Sequence, residues 1–172
     1  MKKYPRTYGF NGQGFTLIEL MVVMLLITIV LAVVIPRFDA APFQDPGKKF
    51  SRWMINAVRH LRATALQKQQ TQALVVDLSN QRMWMINDDM SEEQQAAAAE
   101  KAFALDGSIR IVDAQYRNQE SVNTGILEIR FYPAGYSDQV LLHIENEDAE
   151  RTSSLIEPLL PQLKIVEGWI EL

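Results

Sequence analysis

The sequence contains no cysteine, which excludes a disulfide framework and any thiolate-ligated metal centre. Histidine occurs only at His60 and His143, each without a neighbouring motif, so paired-histidine zinc sites and histidine relays lack their raw material. There is no glycine-rich phosphate loop and no nucleophile elbow. Positive charge is not in excess: 17 basic residues against 21 acidic ones give a net charge of -4, and the average surface therefore repels nucleic acid and anionic lipid alike. An enzyme of this size is expected to gather polar groups at one place, and no such constellation is visible. The expectation is a chain that is not an enzyme, with no cofactor and no metal ligands, built as one modest domain plus an appendage.

The appendage comes first. Residues 1–14 contain Lys2, Lys3 and Arg6, no acid, and the turn-prone Gly9, Asn11, Gly12 and Gly14, and they read as a flexible basic leader. From Phe15 to Ile35 the chain is apolar with a single charge, Glu19. As a helix this run measures about 32 Å, which matches a hydrocarbon core of about 30 Å, and backbone groups in lipid must bond internally. A basic flank stays on the cytoplasmic side, so residues 1–14 are expected inside, residues 15–36 across the membrane, and residues 37–172 outside.

Three readings of this span compete. A cleaved signal peptide ending near Asp39-Ala40-Ala41 calls for an apolar region of about 7–15 residues, shorter than the one present. A plain membrane anchor accounts for the length and the basic flank and leaves Glu19 without a task. A carboxylate in lipid costs about 2.5–3.5 kcal/mol on insertion scales, an expense that snorkelling near the cytoplasmic end reduces. The third reading places a cut between Gly14 and Phe15. The new amine then lies one helical turn from Glu19, within reach of its own carboxylate or a neighbour's.

The string Gly14-Phe15-Thr16-Leu17-Ile18-Glu19, opening a long apolar helix behind a basic leader, closely resembles the prepilin signature of type IV pilins and type II secretion pseudopilins. The resemblance implies that a prepilin peptidase cuts after Gly14, that Phe15 becomes the N-methylated terminus, and that Glu19 is the carboxylate guiding subunit assembly. A glycine suits a peptidase site because it has no side chain to obstruct approach.

Beyond Pro36, which ends or kinks the apolar run, Pro42, Pro46 and Gly47 mark a break. An amphipathic helix is expected over about 48–70, with Phe50, Met54, Ala57, Leu61 and Ala65 on one face and Arg52, Arg59, Arg62 and Lys68 mainly elsewhere. Strands follow. Residues 73–78 and 82–86 flank a polar turn at Ser79-Asn80-Gln81. Residues 91–102 suit a short helix or a mobile loop, and 108–114 a third strand. Residues 126–132 and 140–145 form the clearest hairpin, turning at Pro133-Ala134-Gly135, with His143 and Glu145 facing away from Val140, Leu142 and Ile144. The tail reads as two more strands separated near Pro161 and Gly168. The fold class is α+β: one long N-terminal helix, membrane-spanning in its first half, packed on an antiparallel β-sheet domain.

Leu61-Arg62-Ala63-Thr64-Ala65, Ala73-Leu74-Val75-Val76-Asp77 and Ile129-Arg130-Phe131-Tyr132-Pro133-Ala134-Gly135 resemble the H-type minor pseudopilins of this type IV pilin-like superfamily. The tyrosine-proline-threonine loop and calcium loop of the major pseudopilin are not found. The implied partners are the prepilin peptidase, other major and minor pseudopilins, the inner-membrane assembly platform and secreted cargo. The implied place is the bacterial inner membrane, single-pass, with the globular domain periplasmic. A minor pilin of a type IV pilus, serving assembly or DNA uptake, is the nearest alternative. A basic stripe of Lys48, Lys49, Arg52, Arg59 and Arg62 is the only feature favouring DNA, and no nucleic acid is expected. An unrelated single-pass protein with a periplasmic binding domain is the more distant one. Asp88, Asp89, Glu92 and Glu93, and Glu145, Glu147 and Asp148, lack the spacing of a calcium loop. They read as solvated acidic faces, and Trp53, Trp84 and Trp169 as core or interface.

Overall fold

The computed structural model describes residues 15–34 and 46–172, in two compact units, Met1–Ala41 and Pro42–Leu172. The leader with Gly14, and the breaks at Pro36 and Pro42, lie outside the described residues. In the first unit, helix α1 covers Leu17–Val34.

The second unit opens with helix α2, Pro46–Lys68. Proline suits the first helical position, where its missing amide has no partner to lose. The expected stripe is buried in full: Phe50, Met54, Ala57, Leu61 and Ala65 all face inward, joined by Val58. Gln69 ends the helix in the left-handed region at φ 52°, and Gln70 N–H donates back to the Ala65 carbonyl at 3.3 Å, a C-terminal cap made without glycine. Strands β1 (Gln72–Asp77) and β2 (Arg82–Asn87) pair as the expected hairpin. Helix α3, Glu92–Glu100, resolves the stretch left open in the sequence; Ser91 and Gln94 form a reciprocal capping box at its start. Then come β3 (Phe103–Ala104), β4 (Ile109–Tyr116), β5 (Ile126–Phe131), β6 (Val140–Asn146), β7 (Arg151–Ile156) and β8 (Lys164–Glu167).

All pairing is antiparallel, but the strands divide into two four-stranded sheets, β3-β2-β1-β5 and β4-β6-β7-β8. This overturns the expected β5–β6 hairpin. β5 pairs with β1, Ile126 opposite Asp77 and Phe131 opposite Gln72, and β6 lies between β4 and β7. Around Pro133-Ala134-Gly135 the chain makes only a tight return, with Tyr132 N–H on the Tyr136 carbonyl and Asp138 N–H on the Arg130 carbonyl, each at 2.9 Å, before crossing to the other sheet. The cause is visible in β6 itself. Val140 to Ile144 are buried without a break, which marks a central strand covered on both faces and bonded on both edges, whereas the alternation of Val140, Leu142 and Ile144 reported only one face.

One core cluster joins α2 to both sheets, with Phe50, Met54 and Leu61 against Leu74, Val76, Ile129 and Phe131 of one sheet and Leu142, Ile144 and Ile156 of the other. Each large side chain fully buried there is worth about 1.5–3 kcal/mol. The tail also differs from expectation: β7 begins at Arg151, and residues 168–172 are not a strand.

Candidate functional site

The residues carrying the N-terminal signature lie at the start of α1. Phe15 and Thr16 precede the helix, and the Thr16 hydroxyl accepts from the Glu19 backbone N–H at 3.3 Å while the Thr16 carbonyl accepts from Leu20 N–H at 3.2 Å. Thr16 is thus the N-cap, and Glu19 is the third helical residue. A threonine three places ahead of a glutamate is the sequence form of a capping box, and a negative charge in the first turn also complements the helix dipole. The cap uses the backbone of Glu19, and the carboxylate has no side-chain partner among the described residues. Phe15, Thr16 and Glu19 therefore share one turn; Gly14 lies outside the described residues.

The rest of α1 offers surface rather than chemistry. Its large apolar side chains up to Val30, with Phe15, are 44–78% exposed, and they occupy every side of the helix, the pattern of a segment made for lipid or for a fully buried place. Thr28 satisfies its hydroxyl on the Met24 carbonyl at 2.7 Å. The helix has 18 residues, about 27 Å, where a hydrocarbon core of about 30 Å asks for about 20 residues. Among the described residues, no helix is long and apolar enough to cross a membrane; the expected span 15–36 runs beyond the described helix.

In the second unit the structure gathers polar groups that sequence reading had left on the surface. Arg62 was expected away from the apolar face but is only 7% exposed. Its guanidinium donates to the Pro158 carbonyl at 2.8 Å, the Glu157 carbonyl and the Ser137 hydroxyl at 3.0 Å, and the Gly135 carbonyl at 3.3 Å, and it lies 5.8 Å from the centre of the Phe131 ring. It ties α2 to the crossover between the sheets and to the turn after β7. Burial lowers its pKa, yet a guanidinium stays charged. Gly135, at φ +90° with Leu66 3.4 Å from where a β-carbon would sit, keeps that crossover close to the helix.

His143, expected to face away from the apolar side of its strand, is nonetheless only 3% exposed. Its Nδ1 is 2.6 Å from Asp113 Oδ1, its Nε2 2.9 Å from the Ile170 carbonyl, and its ring stacks on Trp169 with centroids 3.5 Å apart. The signals available were Asp113 and His143 themselves, but the bulge between Ile111 and Asp113 that aligns them has no mark in the sequence. His60 is exposed. Trp53 stacks on Phe103 at 4.6 Å, and Trp84 lies beneath the Arg82 guanidinium at 5.3 Å. Glu145 is held by Arg110 at 2.7 Å and Arg151 at 3.1 Å, so it belongs to an ion-pair network rather than a free acidic face. Among the described residues, no three His, Asp or Glu side chains converge on a point that could hold a metal ion.

Residues 10–35 match the prokaryotic N-terminal methylation motif. The chain is similar in structure to the minor pseudopilin EpsH from the type II secretion system of Vibrio cholerae. One crystal structure of that protein is 12% identical over 74% of this chain and 99% of its own, with a TM-score of 0.50. A second is 13% identical over 66% of this chain and 97% of its own, with a TM-score of 0.47. No curated protein sequence matches this chain. The chain thus combines a prepilin-type methylation motif with an α+β pseudopilin fold.

Proposed function

We propose that the chain is a structural minor pseudopilin of a type II secretion system, made as a prepilin in the bacterial inner membrane. A prepilin peptidase cuts it between Gly14 and Phe15 and methylates Phe15, and it assembles with other pseudopilins on the inner-membrane platform into a periplasmic fibre that helps export folded cargo. The observation that carries this reading is the helix that starts three residues beyond Gly14, apolar on all sides, with a carboxylate in its first turn that has no side-chain partner among the described residues, inside the matched methylation motif. Lipid and the core of a fibre both keep such a helix out of water, so transfer between them costs little hydrophobic free energy, and an external motor can drive it. In either place an unpaired Glu19 is expensive, and the amine of Phe15 from an adjoining subunit is a fitting partner.

The minor-pilin alternative with DNA uptake finds less support, because Arg62 is withdrawn from the basic stripe into the protein and Lys49 lies over the Phe103 ring at 6.0 Å. Mass spectrometry of the mature N-terminus, from hosts with and without prepilin peptidase, tests the proposal. A chain beginning at methylated Phe15 only when the peptidase is present is expected. An uncut chain, or one beginning near Ala41, would replace it with the single-pass binding protein.

A further inference from the structure

The average surface of this chain repels anionic lipid, but its charge is not evenly spread. Helix α2 carries six of the 17 basic residues and no acid, while residues 69–172 carry seven basic and 18 acidic ones. Five of the six cations, Lys48, Lys49, Arg52, Arg59 and Lys68, are exposed, and so are Asn56 and Ala63. Lys48, Arg52, Asn56, Arg59 and Ala63 follow one another at spacings of three and four, so they form one line along the helix, opposite the buried stripe of Phe50, Met54, Leu61 and Ala65.

This arrangement works against the helix that holds it. With no acid in α2, no ion pair can form between its own turns, and Lys48 and Arg52 set like charges one turn apart, where they repel. The first two turns hold Lys48, Lys49 and Arg52 without a carboxylate, although the N-terminal end of a helix dipole is itself positive. The acid-rich remainder of the unit does not answer: Arg52 and Arg59 make no ion pair among the described residues. A cationic face that is self-repelling and unmatched within its own unit suits an anionic surface outside it.

We propose that this face of α2, centred on Arg52 and Arg59, docks on the anionic phospholipid headgroups of the membrane that holds α1. The inference rests on the reading above that α1 is stored in lipid. Two observations favour lipid over an acidic protein. The first is the chain itself: eleven residues join Val34 to Pro46, so a bilayer around α1 meets α2 as a tethered surface at high effective concentration, and a weak attraction per cation suffices. The second is the separation of sign. An anionic bilayer attracts the α2 face and repels the acidic remainder of the unit, so charge alone selects one orientation and no shaped pocket is required. Each cation near such a surface is worth about fivefold in the docking equilibrium, and the attraction dies away within a Debye length.

The chain has no cysteine, so Asn56→Cys, between the two arginines, gives a single site for a spin label on the full chain. The labelled chain is reconstituted in vesicles of phosphatidylethanolamine with phosphatidylglycerol, or of phosphatidylcholine alone. Collisions with a nickel chelate carried on lipid headgroups report docking, and collisions with a soluble chelate report water. Lipid collisions are expected to rise in the anionic vesicles only. The docking equilibrium should fall about fivefold for each of Arg52→Gln and Arg59→Gln, and docking should vanish in about 1 M salt, where the Debye length is about 3 Å; the salt arm needs neither variant to fold. Equal lipid collisions in the two kinds of vesicle, or a label open to water in both, would overturn the proposal. A label shielded from the soluble chelate yet far from lipid, increasingly so as protein density rises, would give the stripe to the acidic surface of a second copy instead. Flotation separates the two failures: a chain that floats with the vesicles while its label stays in water loses only the docking, whereas one that floats with neither loses the membrane reading as well.

Discussion

Helices α1 and α2 are both rich in apolar side chains, and they use them in opposite ways. In α2 the apolar residues form one stripe, and the whole stripe is buried against the two sheets. In α1 they cover all sides, and none of those up to Val30 is buried. An amphipathic helix has spent its apolar surface within its own domain, whereas α1 has surface left for a partner of the same character, lipid or like helices. Folding of the globular unit accounts for the stripe of α2, leaving only Leu66 among its large apolar residues exposed, and for none of the described large apolar side chains of α1. The difference assigns α2 to the stability of its own unit and leaves the surface of α1 for the assembly role proposed above.

The strongest way to break this division is to truncate a methionine in each helix. Met54→Ala removes a side chain with no exposure, and a cost of about 2–5 kcal/mol is expected, as for other large-to-small changes in a packed core. Met24→Ala, in α1, should leave unfolding of the globular unit within about 0.5 kcal/mol of the native chain. Urea titrations followed by circular dichroism in the strand region measure both. A comparable loss from Met24→Ala would mean that α1 packs on the globular unit and that the two helices share one task.

The acids of the two units sharpen the comparison further. Glu19 has no side-chain partner among the described residues, while Asp77, buried at the end of β1, is saturated: Asn80 reaches it through side chain and backbone at 2.8 and 3.0 Å, and Arg82 at 3.1 Å. Burial alone would raise the pKa of Asp77, but these donors outweigh it and hold the carboxyl below its usual range. A depressed folded value means stability that is full above the unfolded pKa of about 3.9 and lost as pH falls through the folded one. Asp77→Asn is expected to cost about 1.5–3 kcal/mol at neutral pH, with the gap to the native chain narrowing below about pH 4. Chemical unfolding at neutral and acidic pH checks it; a gap independent of pH would mean that the carboxylate charge is not what the turn uses.

Much of this was legible in the chain. The single acid in the apolar run and the α2 stripe are local patterns, set by composition and by a period of 3.6, and the β1–β2 hairpin was legible because its turn is short and polar. The division into two sheets was not, because pairing Asp77 with Ile126 is a non-local decision that no neighbouring residues announce. Arg62 and His143 were misplaced for a related reason. A long cation beside an apolar stripe and a histidine on a strand face default to solvent, and only the tertiary arrangement supplies the carbonyls of Gly135, Glu157 and Pro158, or the carboxylate of Asp113, that make their burial tolerable. At the N-terminal turn the lone carboxylate was legible, but the cap was not.

That cap gives the smallest expected effect and separates the backbone of Glu19 from its carboxylate. Thr16→Ala removes the hydroxyl that receives the Glu19 N–H, at a cost of about 1 kcal/mol in the first turn of α1. Hydrogen exchange at the Glu19 amide, measured on the full chain in detergent micelles, should quicken about fivefold, with amides beyond the first two turns and the globular unit unchanged. Thr16→Ser should restore the native rate, since serine caps as well. An unchanged Glu19 amide would mean that the helix begins upstream of Thr16, so that Glu19 lies deeper in α1 than its third position. If the cap is as described, the backbone of Glu19 completes its own helix while its carboxylate stays uncommitted, which is the condition for that carboxylate to act between subunits rather than within one.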